Sequence, residues 1–436
     1  MKSGIGIGLI GLGTVGSGVV KLLGENAGVI SRRLGAEVML VKAADLDASR
    51  AKALKLSKDI YTKNADDVIN NPDIDIVIEL IGGYRPAKEF ILSALKNGKP
   101  VVTANKALLA MHGEEIFSAS EKYGAPVGFE ASVGGGIPII GAIKQGIAAN
   151  NIQSIYGIIN GTSNYILTKM TDEGREFDDV LDEAKALGYA EADPTFDVEG
   201  IDPAHKLAIL ANIAYGTPIN FPDIYTEGIS NILPEDIRYA RELGFKIKLL
   251  AIAKLKDGEI EARVHPTMLP EDYLIAKVDG VFNAIYVVGD ALGPAMFYGR
   301  GAGDMPTASA VVSDVIDISR DILCGKSGRT PVASFRKGNR KKLSVMPIDK
   351  VRCRYYMRFT ALDHPGVLSK ISGILGRHDI SISSVIQHGR DAGSAVPIVV
   401  MTHGAVERNV RKALAKIDGL DVISAKTVVI RVEGEE

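Results

Sequence analysis

A glycine-rich loop between two apolar segments, near the start of the sequence, limits the choice of fold more than any other feature. Residues 5–10 read IGIGLI, a short apolar run typical of a buried parallel strand. The next six residues, Gly11–Gly16, read GLGTVG and match the pattern G-x-G-x-x-G. Val15, Val19 and Leu23 follow at helical spacing. The loop therefore stands between a predicted strand and a predicted helix, as a dinucleotide-binding motif requires.

Each glycine of this loop has a structural role in a dinucleotide-binding fold. Gly11 permits a tight turn, Gly13 lets the backbone approach a pyrophosphate, and Gly16 lets the helix pack closely against the strand. The free N–H groups at the start of the helix bind phosphate. The loop predicts a Rossmann-type domain that binds NAD or NADP, and a purely structural turn is the alternative.

The second predicted strand carries residues that bear on the choice of cofactor. It covers residues 38–43 and is followed by Asp45 and Asp47. An acid here can bond the adenosine ribose of NAD, although it falls later than usual because the first helix is predicted to extend to about Leu34. Arg50 lies nearby and can meet the 2′-phosphate of NADP instead. The sequence leaves NAD and NADP both open.

Two more apolar strands, at residues 75–81 and 100–103, alternate with a helix predicted at residues 86–97. This alternation predicts a doubly wound parallel sheet of the α/β class. Lys106 follows the second strand, and ligands of such sheets lie at the carboxyl ends of strands. Lys106 is therefore predicted near the nicotinamide end of the cofactor, with an ordinary surface lysine as the alternative.

Three consecutive glycines, Gly134–Gly136, follow a segment that contains Glu130. Glycines expose backbone carbonyl groups and can bend around an ion. Carbonyl oxygens with one carboxylate are suitable ligands for a hard cation. The alternative is a bend between two domains, and the spacing alone favours the bend.

The stretch Gly188–Lys206 reads GYAEADPTFDVEGIDPAHK and contains five acidic residues and a lysine at its end. It follows a helix predicted over residues 177–187 and reads as an acidic loop. Asp202 and Pro203 are predicted as the N-cap and first residue of the next helix. The five acids of the stretch are Glu191, Asp193, Asp197, Glu199 and Asp202.

Asp202 and Lys206 are four residues apart and can share one face of that helix. A helix N-terminus disfavours the lysine's charge and a nearby aspartate favours it. Such a lysine suits general acid/base chemistry. The alternative is a solvated acidic loop with one weak surface ion pair, and spacing alone favours it.

The rest of the chain predicts an inserted domain and a small C-terminal domain. Residues 154–159, 251–266 and 273–288 are predicted strands of an antiparallel or mixed sheet, and residues 307–323 a helix that returns to the first domain. Residues 354–431 read strand-helix-strand-strand-helix-strand, the ferredoxin-like order. The predicted divisions are residues 1–133 for dinucleotide binding, completed by 304–330; 134–303 for substrate binding and oligomerisation; 331–350 as a linker; and 351–436 for regulation.

The composition of the chain excludes few classes of protein or partner. A net charge of −2 gives no reason to expect nucleic acid or a membrane surface as partner. Cys324 and Cys353 have no metal-ligand spacing, which suits a reducing cytoplasm. The uncharged run at residues 3–20 is long enough to suggest a signal or membrane segment, but its seven glycines favour a strand and loop. A cytoplasmic protein is expected.

Six segments together resemble the homoserine dehydrogenase family with a C-terminal ACT domain, and the resemblance covers nearly the whole chain. The long acidic segment is the most specific of them. They are GLGTVG at Gly11–Gly16, TANK at Thr103–Lys106, NGTSNYIL at Asn160–Leu167, GYAEADPTFDVEGIDPAHKL at Gly188–Leu207, GRGAGDMPTASAV at Gly299–Val311 and DHPGVLSKI at Asp363–Ile371.

The resemblance implies reversible reduction of L-aspartate 4-semialdehyde to L-homoserine by NADP(H) or NAD(H), on the way to threonine, methionine and isoleucine. By matching positions, the catalytic residues are Lys206, Lys106 and Asp202. The substrate-binding residues are Glu191, Tyr189, Thr162, Gly161 and Asp197. The cofactor-binding residues are Gly11, Gly13, Thr14, Val15, Gly16, Ala44, Asp45, Thr103, Lys106 and Gly303.

The resemblance also implies ligands beyond the substrate and the nicotinamide cofactor. A sodium ion is implied at Glu130, Val133, Gly135 and Ile137, and a homodimer or homotetramer through the inserted domain. An amino-acid effector, threonine, is expected near Asp363–Gly366 of the ACT domain.

Two other functions remain possible from the sequence. An aspartate-semialdehyde dehydrogenase needs a cysteine nucleophile, and both cysteines lie outside the predicted cleft. An amino-acid-sensing protein on a dehydrogenase fold is a different class, and turnover separates it from an enzyme.

Overall fold

The computed structural model describes residues 4–388 and 395–434 of the 436-residue chain. The chain falls into two compact units. The first comprises Met1–Ile159, Ala204–Asp223 and Phe282–Leu343, and the second Asn160–Pro203, Ile224–Val281 and Ser344–Glu436. Within the described ranges, no helix has both the length and the apolar character needed to cross a membrane.

The strands of the described chain carry the labels β1 to β17. They are β1 Gly4–Ile10, β2 Glu37–Ala44, β3 Tyr61–Thr62, β4 Ile76–Glu79, β5 Val101–Thr103, β6 Val127–Gly128, β7 Ile152–Ile158, β8 Tyr225–Thr226, β9 Phe245–Lys256, β10 Glu259–Pro270, β11 Phe282–Gly289, β12 Gly293–Arg300, β13 Arg352–Leu362, β14 Ile382–Ile386, β15 Ala395–Thr402, β16 Ala405–Val406 and β17 Ile423–Val432.

The α-helices of the described chain carry the labels α1 to α15. They are α1 Thr14–Glu25, α2 Ala27–Leu34, α3 Ala48–Ala53, α4 Asp66–Ile69, α5 Ala87–Lys96, α6 Lys106–Tyr123, α7 Ile139–Gly141, α8 Gly161–Glu173, α9 Phe177–Ala186, α10 Thr195–Val198, α11 Ile201–Tyr215, α12 Pro234–Glu242, α13 Asp304–Leu323, α14 Val367–Arg377 and α15 Glu407–Ile417.

The first unit contains a parallel sheet with the strand order β3-β2-β1-β4-β5-β6. This order confirms the predicted doubly wound Rossmann-type sheet. Helices α1 and α13 pack closely because Gly18 of α1 has no side chain. A Cβ atom there would lie 2.8 Å from the carbonyl oxygen of Asp304. The helix predicted to run to Leu34 is instead two helices that meet at Asn26.

Three antiparallel strands of the first unit follow the order β12-β11-β7. The strand predicted at residues 273–288 is too long. Residues 275–277 form a 3₁₀ turn, and β11 begins only at Phe282. The apolar composition of residues 274–278 reflects burial rather than a strand, because a short buried turn and a buried strand have the same composition.

The second unit contains the strands β9-β10-β17-β13-β15-β14 in that order. The strand predicted at residues 251–266 is two strands, because Asp257 and Gly258 have φ angles of 51° and 81° and turn the chain into a hairpin. The predicted C-terminal order of strands and helices is confirmed, and its two helices cover one buried core. Strand β17 also pairs with β10 in parallel, with Arg431 opposite Thr267.

The acidic segment forms two short turns rather than one open loop. Helix α10 forms at residues 195–198, and α11 begins at Ile201. Asp202 therefore lies in the first turn of α11 and is not its N-cap, and the helix begins at Ile201, two positions before the predicted first residue Pro203. Glu191, Asp193 and Glu199 are exposed, whereas only 3% of Asp202 is exposed.

Candidate active site

The glycine loop of the first unit has the geometry that its sequence predicts. Gly11 has a φ of +103°, and a Cβ atom there would lie 2.8 Å from the carbonyl oxygen of Leu80. A Cβ atom on Gly16 would lie 2.0 Å from the carbonyl oxygen of Gly11. At Gly13 the nearest atom would be Nη1 of Arg50, at 3.8 Å. Two glycines thus allow close packing, and Gly13 leaves the loop accessible to a ligand.

A cavity of about 640 Å³ opens beside this loop, at the carboxyl ends of β1, β2 and β4. Its size and position fit part of a dinucleotide. Four of the predicted cofactor residues line it, namely Gly11, Gly13, Ala44 and Asp45. The remaining lining residues are Ile10, Leu46, Asp47, Arg50, Lys63, Asn64, Ala65, Leu80, Ile81, Gly82, Arg85, Pro86 and Phe90.

Asp45 and Arg50 offer a carboxylate and a cation in the wall of this cavity. One oxygen of Asp45 accepts the backbone N–H of Leu12 at 2.6 Å, and the other accepts that of Asp47 at 2.8 Å. Nη1 of Arg50 lies 3.3 Å from Asp45, and about half of the Arg50 side chain is exposed. The carboxylate is fixed, whereas the guanidinium is exposed enough to accept a phosphate partner.

Six of the predicted cofactor residues do not line this cavity. Thr14, Val15 and Gly16 form the first turn of α1, and Lys106 is the first residue of α6. Gly303, with a φ of +127°, is the N-cap of α13. Thr103 is the sixth.

Thr103 is fully buried at the end of β5, and its hydroxyl donates to Glu79 at 2.8 Å. Glu79 is also fully buried, and it accepts the backbone N–H of Ile81 at 2.8 Å. Burial raises the pKa of Glu79 above its usual value, against the opposing effect of these hydrogen bonds. Sequence reasoning missed Glu79, although an acid that ends an apolar strand was a visible signal.

The predicted cation site lies in a well-ordered turn of the first unit. The two carboxylate oxygens of Glu130 accept the backbone N–H groups of Ile140 and Gly141, each at 2.7 Å. Gly135 has a φ of +55°, and a Cβ atom there would lie 2.5 Å from the carbonyl oxygen of Gly301. Ile137 donates its N–H to the carbonyl oxygen of Gly134 at 2.9 Å.

These residues fit a hard monovalent cation. Burial raises the pKa of Glu130, against the opposing effects of its backbone hydrogen bonds and of the nearby Lys144 ammonium. A buried carboxylate of this kind gains from a bound cation. Residues 4–388 and 395–434 contain no group of three His, Cys, Asp or Glu side chains suited to a metal. Backbone carbonyls would therefore supply the other ligands.

In the second unit, Asn160 brings two of the predicted acids together. Its side-chain nitrogen donates to Asp197 at 2.7 Å and to Asp202 at 2.8 Å. Its side-chain oxygen accepts the backbone N–H of Ser163 at 2.8 Å and so caps α8. Sequence reasoning did not select Asn160, although its place at the start of a predicted helix was a signal for a cap.

The predicted substrate residues Thr162 and Tyr189 are also joined in the second unit. The hydroxyl of Thr162 donates to the carbonyl oxygen of Tyr189 at 2.5 Å. The Tyr189 ring lies 5.1 Å from that of Tyr165, measured between centroids. A Cβ atom on Gly161 would lie 2.9 Å from the carbonyl oxygen of Val281. Glu191 is exposed.

Lys206 lies in α11, in the part of that helix that belongs to the first unit. Only 8% of its surface is exposed, and Nζ donates to the carbonyl oxygen of Ile159 at 2.6 Å. Asp202, one turn earlier in α11, is also buried. The alternative of a solvated surface pair therefore does not hold for these two residues.

The two cysteines do not resemble catalytic nucleophiles. Cys324 is exposed at the end of α13, and Cys353 lies in the core of the C-terminal domain. Burial raises the pKa of the Cys353 thiol, which disfavours its reactive thiolate form. The arrangement gives no support to a cysteine-dependent aldehyde dehydrogenase.

Three family models match the chain. One described as homoserine dehydrogenase matches residues 138–316, and one described as homoserine dehydrogenase, NAD binding domain, matches residues 11–130. A model described as ACT domain matches residues 355–419.

Curated relatives match over almost the whole length. Homoserine dehydrogenase from Neisseria gonorrhoeae is 47% identical over 429 residues, covering 98% of each chain. The enzyme of that name from Pseudomonas aeruginosa is 47% identical over 434 residues, with 98% of each chain covered.

Solved structures agree with the curated relatives. A homoserine dehydrogenase from Thiobacillus denitrificans has a TM-score of 0.94 and 50% identity, covering 99% of this chain and 98% of that one. A hyperthermophilic archaeal homoserine dehydrogenase mutant in complex with NADPH has a TM-score of 0.62 and 29% identity. That match covers 72% of this chain and 97% of that chain.

Proposed function

This chain belongs to the homoserine dehydrogenase family, and we propose that it interconverts L-homoserine and L-aspartate 4-semialdehyde. It is an oxidoreductase with a nicotinamide-binding domain and an ACT domain. The observation that carries the proposed chemistry is the burial of Asp202 and Lys206, one turn apart in α11. Buried ionisable side chains at a helix start are uncommon unless they serve a function.

Lys206 is the proposed proton donor. When an aldehyde is reduced, negative charge develops on its oxygen. A positioned ammonium group stabilises that charge and donates the proton. The nicotinamide, when bound, supplies or accepts the hydride. The carbonyl oxygen of Ile159 holds the Lys206 ammonium in a fixed direction. Lys106 is proposed as a second catalytic lysine and as part of the cofactor site.

The acidic residues of the second unit are proposed to bind the amino group of the substrate. The Asn160 amide donates one hydrogen bond to Asp197 and one to Asp202, and because it is neutral it adds no positive charge of its own. Glu191 is exposed and can add a third carboxylate. The remaining proposed contacts come from the residues joined at the start of α8, namely Gly161, Thr162 and Tyr189.

The cofactor is proposed to lie along the glycine loop, with the adenosine ribose at Asp45. Arg50 supports NADP as the preferred form, because an exposed guanidinium in the cavity wall matches a 2′-phosphate. The NADPH complex of the archaeal relative is consistent with this choice. NAD remains the alternative, since the fixed Asp45 carboxylate can accept from both ribose hydroxyls.

A sodium ion is proposed at Glu130, with carbonyl oxygens of Val133, Gly135 and Ile137 as its other ligands. The support is the burial of this carboxylate, which raises its pKa above the usual value although the Lys144 ammonium is nearby. A bound cation would offset the cost of burying that charge.

Threonine is proposed as an inhibitor that binds the ACT domain near Asp363–Gly366. Contacts inside the second unit support a route from that domain to the substrate residues. Arg431 of β17 donates to Glu227 at 2.8 Å. Next along the chain, Gly228 fits tightly, since a Cβ atom there would lie 2.6 Å from the carbonyl oxygen of Val198. Val198 directly follows Asp197.

A homodimer is proposed through the sheet formed by β7, β11 and β12. Tyr286 pairs with Tyr156 on one side and with Met296 on the other, so these side chains share a face. Tyr298 is 53% exposed on the same face, and β12 is an edge strand. An aromatic face beside an unpaired edge fits a second copy of the chain. Threonine, methionine and isoleucine biosynthesis in the cytoplasm is the proposed setting.

The test is to follow absorbance at the nicotinamide band while L-homoserine is offered with NADP and then with NAD, in the presence of sodium. Cofactor reduction with either one confirms the reaction and ranks the two cofactors. Failure of folded protein with both would instead favour an amino-acid-sensing protein, which the ACT domain supports.

A further inference from the structure

We infer that Asn160 is a positioning residue that fixes Asp197 and Asp202 toward the amino group of the substrate. The inference deepens the proposed function and rests on it. Asn160 is 6% exposed and Asp202 is 3% exposed. Asn160 is the residue before α8, Asp197 lies in α10, and Asp202 lies in the first turn of α11. One side chain therefore joins the starts of three helical segments.

The hydrogen bonds of Asn160 leave it only one orientation. Its side-chain oxygen accepts the N–H of Ser163, which only an acceptor can do. Its NH₂ group must then face the carboxylates, and it has one N–H for each of them. Rotation of the amide would break the helix cap and place an oxygen against two carboxylates. The hydrogen bond that caps α8 thus fixes the amide in the orientation that joins the two carboxylates. The pair of hydrogen bonds from Asn160 to Asp197 and Asp202 is called the bridge below.

An amide has an electrostatic advantage at this position. Two carboxylates that converge on one atom repel each other, and a lysine or arginine between them would relieve the repulsion. Such a cation would also neutralise the charge that attracts the substrate ammonium. The neutral amide holds one oxygen of each carboxylate and adds no positive charge of its own. Asn160 thereby keeps the acids selective for an amino-acid substrate.

Ser163 reinforces the arrangement from the other side of Asp197. Its hydroxyl donates to the backbone carbonyl oxygen of Asp197 at 2.8 Å, and the residue is fully buried. The side chain and the main chain of Asp197 are thus both tied to the first turn of α8. This double attachment fixes the distance between α8 and α10, so loss of the bridge is expected to release the carboxylates without unfolding the segment.

Three substitutions separate positioning from capping. Asn160→Ser keeps a good helix cap and removes the bridge without adding charge. Asn160→Asp keeps the cap oxygen and places a third carboxylate beside the other two. Asn160→Ala removes the cap and the bridge together. Each variant would be measured for thermal stability and for KM and kcat with L-homoserine and with the preferred cofactor.

The expected result is a selective loss of substrate binding. Asn160→Ser should raise the KM for homoserine about tenfold, as for loss of one charge-assisted hydrogen bond, with Tm and the KM for cofactor near wild type. Asn160→Asp should raise it further and shift the acidic limb of the pH profile of kcat/KM upward, because one of three adjacent carboxylates stays protonated. Asn160→Ala should additionally lower the Tm.

A wild-type KM and pH profile in Asn160→Ser, together with a lower Tm in Asn160→Ala, would overturn the inference and leave Asn160 as a helix cap. The proposed function fails separately, if wild-type protein does not oxidise homoserine at all. In that case the pH dependence of Tm still tests the bridge. Asn160→Asp should lose stability relative to Asn160→Ser as the pH rises from 4 to 8, and parallel curves would count against the bridge.

Discussion

The ammonium of Lys206 donates a hydrogen bond to the backbone carbonyl oxygen of Ile159, with 2.6 Å between the two heavy atoms. Ile159 directly precedes Asn160, whose side chain holds Asp197 and Asp202. Ile159 belongs to the first unit and Asn160 to the second, and these two residues connect the end of β7 to the start of α8.

Lys206→Ala is expected to reduce turnover by about 10²–10⁴-fold, because it removes the proposed proton donor. Folding and dinucleotide binding should be largely retained, as the glycine loop lies elsewhere in the chain. Steady-state rates and fluorescence titration with the reduced cofactor would measure both. Lys185→Ala, at a partly exposed lysine of α9, is the matched control. Near-normal turnover in Lys206→Ala would remove this residue from the mechanism.

Arg50→Ala is expected to raise the KM for NADP about tenfold while changing the KM for NAD little. In the wild-type protein the Arg50 guanidinium would form charge-assisted hydrogen bonds with the 2′-phosphate of NADP, a group that NAD lacks. Initial rates with each cofactor at saturating homoserine provide the comparison, and Arg33→Ala on α2 is the control. Equal changes for both cofactors would contradict a role in phosphate recognition.

Sodium chloride is expected to raise the Tm of the wild-type protein above its value in choline chloride at the same ionic strength. An ion that binds only the folded state stabilises that state, and above the dissociation constant the stabilisation grows with the logarithm of the ion concentration. Matched ionic strength removes general screening as the cause. Glu130→Gln should abolish the difference between the two salts, whereas Glu121→Gln, at a partly exposed residue of α6, should retain it. A wild-type Tm indifferent to the cation would refute the sodium site.

Threonine is expected to inhibit homoserine oxidation, and Glu227→Gln should raise the half-inhibitory concentration about tenfold. The substitution weakens the ion pair between Arg431 and the segment that packs on Val198, and such couplings are typically worth 5- to 150-fold. Glu259→Gln, which weakens an exposed pair with Lys350, is the control. If threonine changes neither the rate nor the Tm of the wild type, the effector is a different amino acid or the regulatory proposal is wrong.

Glu183→Gln is expected to lower the Tm at neutral pH by a few degrees, and the effect should fade in acid. Arg175 and Tyr165 hydrogen-bond to this carboxylate and lower its pKa from 4.5 to about 2. A lowered folded-state pKa stabilises the protein fully above the unfolded value of 4.5, and the contribution is lost as the pH falls toward 2. Thermal scans between pH 7 and pH 3 measure this, with exposed Glu176→Gln as the control. A constant difference across that range would contradict the assignment.

The sequence anticipated the parts of the site that depend on local pattern. Residues 11 and 16 are glycines because a side chain at residue 11 would collide with Leu80, and one at residue 16 with Gly11. The helix that carries Asp202 and Lys206 was likewise predicted from its apolar spacing. Its start was misplaced by two positions, because capping preferences do not distinguish an N-cap from the first turn with certainty. The domain limits at residues 133, 303 and 350 stay predictions.

Contacts between distant parts of the chain could not be predicted in this way. Asn160 and Asp202 are 42 positions apart, and nothing in their local sequences indicates that one amide holds both acids. Glu79 and Thr103 also meet only because β4 and β5 are neighbours in the sheet. The turn at Asp257 and Gly258 was missed for a different reason, because Asp-Gly between two apolar runs is a local hairpin signal that the sequence prediction did not use.

The amino-acid sequence by itself determined the Rossmann-type sheet, the ferredoxin-like order of the C-terminal domain and the residue types of the site. Periodicity, glycine geometry and family motifs are local properties, and short segments of the sequence are enough to identify them. Tertiary structure decided which of the acids are buried and which are exposed. It also decided that Lys206 is held by Ile159 and that Asn160 joins Asp197 to Asp202. The physical reason is that burial and hydrogen-bond partners depend on what surrounds a side chain in space, and sequence separation does not specify those surroundings.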